Sequence, residues 1–266
     1  MRRILIALCA LTMLSGCGGG VDASLLATAA RNTEAAGGAE LAMRMTVNVD
    51  GQEVAMTGGG VEDARGRRGH FNLTAPGFGE LEMVADGFTL YVRMDELRAA
   101  VGKEWIKMDL TRIGEELGID MESVGQIGQG AAEQLGWLKA ASDGVSEHGT
   151  DTVVGVEATH YSATVDLRRY PDLAPEGRRE VVRRSVERLI ELTGQSEVPM
   201  DVWIDGDQRV RRIEWEQTER EGGTDLRTEM VIEYVRFGVP FDIDVPDDFL
   251  DVTDDEIEGI RQGQSW

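Results

Sequence analysis

Apolar residues occupy every second position along much of this chain, and this pattern predicts a protein built mainly from antiparallel β-strands. The first such run extends from Leu41 to Val49, and Arg44, Thr46 and Asn48 fill intervening positions. A two-residue period places successive side chains on opposite faces of a strand. One face of the predicted sheet is therefore apolar and the other is polar.

The alternation continues in chain order, which predicts a meander followed by further strands. Asp50-Gly51, directly after the first run, is typical of a tight hairpin turn. Pro240 and Pro246 predict that the acidic segment after the last strand is extended. The predicted strands lie at residues 41–49, 54–56, 71–75, 81–85, 88–92, 105–109, 156–167, 198–205, 209–217 and 226–237.

Helical spacing of apolar residues occurs in shorter segments between these runs. We expect Asp22 or Ser24 to cap the first helix, and Thr111, with Glu115 nearby, to cap the second. Helices mixed with a largely antiparallel sheet indicate an α+β fold. The predicted helices lie at residues 25–35, from about residue 111, within 130–141 and at 176–192.

The charge balance limits the partners of this protein. With 27 Lys and Arg against 49 Asp and Glu, the formal net charge is −22. Such a charge repels phosphate backbones, so we expect no nucleic-acid partner. The two cysteines, Cys9 and Cys17, lie at the extreme amino terminus, which leaves the body of the chain without a disulfide.

The first residues have the pattern of a secretory signal. Arg2 and Arg3 precede a short apolar run, and Leu14-Ser15-Gly16-Cys17 follows with small residues before the cysteine. This segment resembles the bacterial lipobox, which implies that Cys17 carries a diacylglyceryl anchor. We therefore expect a lipoprotein on the extracytoplasmic side of a bacterial cell membrane. The alternative is an ordinary cleaved signal whose cysteine stays free.

The sequence contains no complete catalytic or metal-binding motif among those considered below. Residues 128–133 begin like a dinucleotide-binding loop, but Glu133 replaces its third glycine. His70, His148 and His160 are far apart in the sequence and lack zinc-site spacing, so we interpret them as surface or network residues. The acidic tail lacks the alternation of a calcium loop. We predict no catalytic residue, no metal and no cofactor, and a secreted hydrolase is the lowest-ranked interpretation.

The helix at 176–192 concentrates positive charge in an acidic protein. Its arginines allow two interpretations: contact with lipid headgroups, or a solvated face paired with neighbouring glutamates. The second is preferred, because Glu180 and Arg184 have the favourable spacing for an ion pair within a helix. This helix, or the segment 111–141, is also our candidate for a movable cover over the sheet.

The predicted apolar interior is rich in methionine. Of the 11 methionines, Met43, Met45, Met56 and Met83 lie on the predicted inward faces. Unbranched thioethers adapt to ligands of varied shape. These residues could line a hollow that holds acyl chains, or they could fill the core themselves. Composition alone favours the filled core.

Several segments resemble those of the actinobacterial LppX and LprG group of lipoproteins, which is similar to the LolA and LolB lipoprotein-sorting fold. They span most of residues 25–252. The glycine- and arginine-bearing segment 57–70 departs from the group, so the resemblance implies nothing about a cavity rim there. The resembling segments are Leu90-Tyr91-Val92-Arg93, 102–109, 153–161, 164–167, 198–206, 210–212 and 237–243.

The resemblance implies a strongly curved antiparallel half-barrel covered by helices, whose hollow binds an acylated lipid or glycolipid. Its partners would be that ligand, the membrane through the lipid anchor, and an envelope transporter. Strand alternation then predicts ten ligand-contacting residues. They are Leu41, Met43, Met45, Met56, Phe71, Leu73, Leu81, Met83, Leu90 and Val92.

The predicted organisation has four parts. A signal peptide covers residues 1–16, the lipidated Cys17 and a flexible spacer cover 17–24, a single lipid-binding domain covers 25–252, and an acidic tail with a short helix covers 253–266. The principal hypothesis is a lipid-binding carrier that performs no catalysis. The alternative is an envelope sensor or protein-interaction module with a filled core and no role in transport.

Overall fold

The computed structural model describes residues 23–251, apart from residues 50–51, 64–67, 78, 96–97, 99–101, 122–137, 141–143 and 222–223. Twelve strands and four α-helices lie within the described residues. The strands are β1 (Ala39–Val49), β2 (Gln52–Glu62), β3 (Arg68–Ala75), β4 (Gly79–Asp86), β5 (Thr89–Met94), β6 (Trp105–Asp109), β7 (Ser146–Val153), β8 (Val156–Asp166), β9 (Glu197–Asp205), β10 (Val210–Glu221), β11 (Thr224–Phe237) and β12 (Phe249–Asp251). The helices are α1 (Ser24–Ala35), α2 (Leu110–Leu117), α3 (Tyr170–Leu173) and α4 (Arg179–Thr193).

All twelve strands form one sheet in the order β12-β6-β5-β4-β3-β2-β1-β11-β10-β9-β8-β7. Each neighbouring pair is antiparallel except β12 and β6, which are parallel. The sheet ends at β12 on one side and at β7 on the other, so it is curved but not closed. The predicted α+β half-barrel covered by helices is confirmed.

Local hairpins build the two halves of this sheet, and a long-range pairing joins them. Val49 is paired with Gln52, which leaves a two-residue connection where Asp50-Gly51 predicts a hairpin turn, although that turn lies outside the described residues. β1 pairs along its whole length with β11, near the end of the chain. The first strand in the chain, β1, therefore lies near the middle of the sheet.

Two helices pack on the same face of the sheet. α1 buries Leu26 completely, and its Thr33 hydroxyl accepts the backbone N–H of Val210 at 2.8 Å. α4 buries Val182 and Val186 in the same hydrophobic cluster. Burial of these apolar faces stabilises the helices against the strands, since short helices are marginal in isolation.

The residues that cap the first two helices differ from those expected. Asp109 caps α2: its Oδ1 accepts the backbone N–H of Thr111 at 2.9 Å, and Thr111 itself lies inside the helix. Ala23 occupies the capping position of α1 without a side-chain hydrogen bond, and Ser24 is already helical. Asp109 is the last residue of β6, so its carboxylate lies beside the first N–H groups of α2, which have no partner within the helix.

Two strands, β7 and β12, were not predicted from the sequence. Seven of the eight residues of β7 are exposed, so an edge strand with no buried face shows no apolar alternation. β12 has three residues and follows the extended segment after β11. That segment folds back over the outer face of the sheet, where Ile243 packs against Val84 and Tyr91.

The predicted helix at 130–141 and the tail helix at 253–266 lie largely or wholly outside the described residues. Within the described part of the chain, no helix is both long and apolar enough to cross a bilayer.

Candidate functional site

The strand register brings the ten predicted contact residues onto one face of the sheet. Residues directly opposite each other in neighbouring strands share a face. Met45 is opposite Met56, and the pairings continue through β3, β4 and β5 to Leu90. The helices α1 and α4 cover part of this same face, so we call it the concave face, and the opposite one the convex face.

Three of the ten residues are buried and seven are not. Leu41, Phe71 and Leu73 are 2%, 7% and 8% exposed. The half-buried seven keep part of their apolar surface accessible to a molecule that lies against the sheet. These seven are Met43, Met45, Met56, Leu81, Met83, Leu90 and Val92.

The other half of the concave face is filled by the protein. Strands β8 to β11 contribute buried residues such as Val165, Val202 and Ile213 to a large hydrophobic cluster that also contains residues of α1 and α4. Each of these three side chains is fully buried. The concave face thus has a packed side under the helices and a partly accessible side on β1, β2, β4 and β5.

Methionines collect on the concave face to a greater extent than the sequence predicted. Beyond the four predicted, Met94 is opposite Leu81 and Met108 is opposite Leu90. On the packed side, Met200 and Met230 are both opposite Trp215. Eight of the 11 methionines therefore share one face. Their alternation was present in the sequence, but the register between distant strands was needed to group them.

A run of glycines explains how β2 and β3 approach each other. A Cβ atom added at Gly58 would lie 1.9 Å from the carbonyl oxygen of Asn72, and one added at Gly60 would lie 2.1 Å from that of His70. Both distances are shorter than any tolerated contact, so only glycine fits. Glycine within a strand often marks a tight bend or a close backbone approach. The described residues of segment 57–70, which departs from the resembling group, thus lie in β2 and β3, apart from Asp63.

One buried polar group lies at the packed side of the concave face. Tyr234 on β11 is 1% exposed, and among the described residues its hydroxyl has no hydrogen-bond partner. Burial raises the pKa of the Tyr234 phenol well above its usual range, and the carboxylates of Glu62 and Glu34 act in the same direction. The phenol is therefore neutral at physiological pH.

The histidines lie on the convex face, and two of them are closer than the sequence suggested. His148 and His160 have ring centroids 4.8 Å apart, because β7 and β8 are paired. His160 also stacks on Trp203 at 4.2 Å and contacts the carboxylate of Asp201 at 2.7 Å. No group of metal ligands forms among the described residues. These histidines belong to a side-chain network, as interpreted from the sequence.

A cleft of about 560 Å³ opens between α4 and residues 111–121, which belong to the two alternative candidates for a movable cover, the helix 176–192 and the segment 111–141. Near it, the Arg188 guanidinium donates to the carbonyl of Leu117 at 2.8 Å, and the Ser185 hydroxyl accepts the N–H of Asp120 at 3.0 Å. The expected Glu180–Arg184 pair is not formed, since Glu180 pairs with Arg183. α2 and α4 are thus joined to each other beside a polar cleft.

The sequence matches no protein-family model and no curated protein. The structure is similar to that of lipoprotein LppX from Mycobacterium tuberculosis, with a TM-score of 0.50 and 16% identity over 84% of this chain and 100% of that one. LprF from Mycobacterium bovis gives a TM-score of 0.42 at 13% identity, over 86% and 99% of the two chains. A TM-score of 0.5 is reached by LppX but not by LprF. The chain therefore has the fold of LppX, the helix-covered antiparallel half-barrel that the sequence resemblance implies.

Proposed function

We propose that this protein is an extracytoplasmic lipoprotein, anchored through Cys17, that binds an acylated lipid or glycolipid on the accessible side of its concave face and carries it between membrane and envelope. No bond of the ligand is broken. The observation that carries the proposal is that seven apolar residues on that face, four of them methionines, remain half-buried.

The chemistry of the accessible side suits hydrocarbon. Met43, Met45, Met56 and Met83 have flexible side chains that can repack around chains of different length and branching. Leu81, Leu90 and Val92 extend the apolar surface toward β5. Each Å² of apolar surface removed from water contributes about 25 cal/mol, so a long acyl chain laid along these strands would be held firmly.

A carrier must also release its ligand. The packed side under α1 and α4 limits how much of the sheet a ligand can cover, because that half is already occupied by Val165, Val202, Ile213 and their neighbours. Partial coverage keeps affinity below that of a fully enclosed chain. Movement of α2 and α4, joined by the Arg188–Leu117 hydrogen bond, would widen the accessible side.

The test is native mass spectrometry of the full chain extracted from its own membrane in mild detergent. We expect the wild-type protein to retain lipid and Met83→Arg to lose it, because a guanidinium on the concave face opposes hydrocarbon. Thr74→Arg is the matched control, since Thr74 is exposed on the convex face of the neighbouring strand. If Met83→Arg destabilises the fold, Met56→Arg on β2 provides the same test.

Two outcomes would contradict the proposal. Retention of lipid by folded Met83→Arg and Met56→Arg would mean that the ligand does not lie on this face. Wild-type protein that carries no lipid but forms a stable complex with an envelope protein would favour the interaction module with a filled core.

A further inference from the structure

The second interaction surface is an arginine-rich corner formed by residues 167–184, which cover α3, the start of α4 and two short 3-10 turns, Leu167–Arg169 and Glu176–Arg178. We propose that this corner, which we call the basic corner, docks on an anionic lipid surface. The inference goes beyond ligand binding and does not depend on it.

Charge distinguishes the basic corner from the rest of the molecule. Residues 167–184 contain six arginines against three carboxylates, Asp172, Glu176 and Glu180, whereas the whole chain has a net charge of −22. All six arginines are exposed. They are Arg168, Arg169, Arg178, Arg179, Arg183 and Arg184. Arg168 pairs with Asp166 and Glu197, and Arg183 pairs with Glu180, so part of this positive charge is balanced. A basic corner on an acidic protein would orient it on an anionic surface, with the acidic parts directed away.

An exposed apolar residue lies within this positive charge. Leu173 is 50% exposed, the largest value among the exposed large hydrophobic residues of the described chain. It follows Arg169 by four residues in continuous helical backbone, so both side chains lie on the same side of that helix. The carbonyl of Ala174, next to Leu173, accepts a hydrogen bond from the Arg179 guanidinium at 3.2 Å. Arginines around an exposed leucine are typical of segments that lie in a membrane interface.

Two of the arginines are placed where helix stability disfavours them. Arg178 occupies the N-cap of α4 and Arg179 its first turn. The amino-terminal end of a helix carries partial positive charge, so cations there are unfavourable and carboxylates are preferred. The charge of these two residues therefore does not stabilise the helix terminus, whereas phosphate groups outside the protein would be attracted by it.

The test is co-sedimentation of the full chain carrying Cys17→Ser, so that no acyl anchor contributes, with vesicles of phosphatidylcholine alone or with 30% phosphatidylglycerol. We expect binding to require phosphatidylglycerol and to fall as sodium chloride is raised. One basic residue at an anionic surface contributes about fivefold in partitioning, so R178Q/R179Q should bind at least about tenfold more weakly. Leu173→Ser should weaken binding further without loss of thermal stability.

The matched control is R227Q/R236Q, which removes the same charge from exposed positions on β11. This variant should bind as the parent does. A second readout separates docking from a structural role: R178Q/R179Q should unfold at the same temperature as the parent or a higher one, because the helix terminus is relieved of positive charge. The proposal is overturned if phosphatidylglycerol does not increase co-sedimentation of the parent, or if both double variants bind these vesicles equally. It is also overturned if the basic corner binds only an acidic protein and no vesicle.

Discussion

The ring of Phe71 packs over Gly69, so that a Cβ atom added at position 69 would lie 2.5 Å from the ring atom Cε2. The same ring lies 2.7 Å from a Cβ added at Gly60. Phe71 is one of the buried residues of the concave face, and it occupies the space that two missing side chains leave. The glycines of β2 and β3 therefore shape the surface that we assign to the ligand.

These contacts predict different costs for alanine at two glycines. Gly58→Ala places a methyl group against the backbone of Asn72, which cannot move without breaking the β2–β3 pairing, so we expect a loss of about 3 kcal/mol in unfolding free energy. Gly69→Ala meets the buried ring of Phe71 and not the backbone at its shortest contact, so it should cost less, about 2 kcal/mol. Urea denaturation measures both. Gly206→Ala, at a position with open space, is the control and should be nearly neutral. Equal losses at Gly58 and Gly69 would refute this account of the close approach.

Asp205 and Arg211 form a buried ion pair at the start of β10. Their atoms Oδ2 and Nε are 2.7 Å apart, and the side chains are 3% and 11% exposed. Asp205 Oδ1 also accepts the backbone N–H groups of Asp207 and Arg209 at 2.9 Å each. Asp205→Ala removes these bonds and leaves the Arg211 charge uncompensated, so we expect a loss of about 3 kcal/mol. Asp207→Ala, which breaks only an exposed pair, should cost less than about 1 kcal/mol by the same thermal or urea measurement.

The unpaired hydroxyl of Tyr234 predicts a stabilising substitution. Tyr234→Phe removes a buried donor that has no partner among the described residues, so unfolding free energy at pH 7 should rise by about 1 kcal/mol. A decrease in unfolding free energy would show that the hydroxyl forms a stabilising hydrogen bond in solution.

The same residue predicts a pH dependence. The pKa of Tyr234 is higher in the folded protein than in the unfolded chain, because burial disfavours the phenolate. As pH rises above about 10, the unfolded chain loses this proton and the folded protein keeps it, so stability falls by about 1.4 kcal/mol per pH unit until the folded pKa is reached. Urea denaturation from pH 8 to 11 should show a smaller decline in Tyr234→Phe. Parallel curves for the two proteins would contradict the raised pKa.

Local sequence was sufficient for most strands and for the face that each side chain occupies. The alternation from Leu41 to Val49 places Met43 and Met45 on one side because backbone geometry alone sets the two-residue period. The hairpins β3–β4 and β4–β5 kept that assignment, since short connections fix their register. β7 was missed for the same physical reason: it has no buried face, and so no alternation.

Other features of the candidate site required the fold. Met200 and Met230 join the other methionines only because β11 pairs with β1, and no local pattern reports a pairing between distant segments. The reason for the glycine run at 58–60 becomes evident only from the pairing of β2 with β3. His148 and His160 likewise meet only across the β7–β8 pair.

The sequence by itself determined the architecture in outline: strands by their period, an acidic surface by composition, and an apolar face rich in methionine. The tertiary structure alone decided which half of that face is covered by α1 and α4 and which half stays accessible. The physical reason is that alternation states which side chains share a face, whereas the packing of a helix against a strand depends on contacts between residues far apart in the chain.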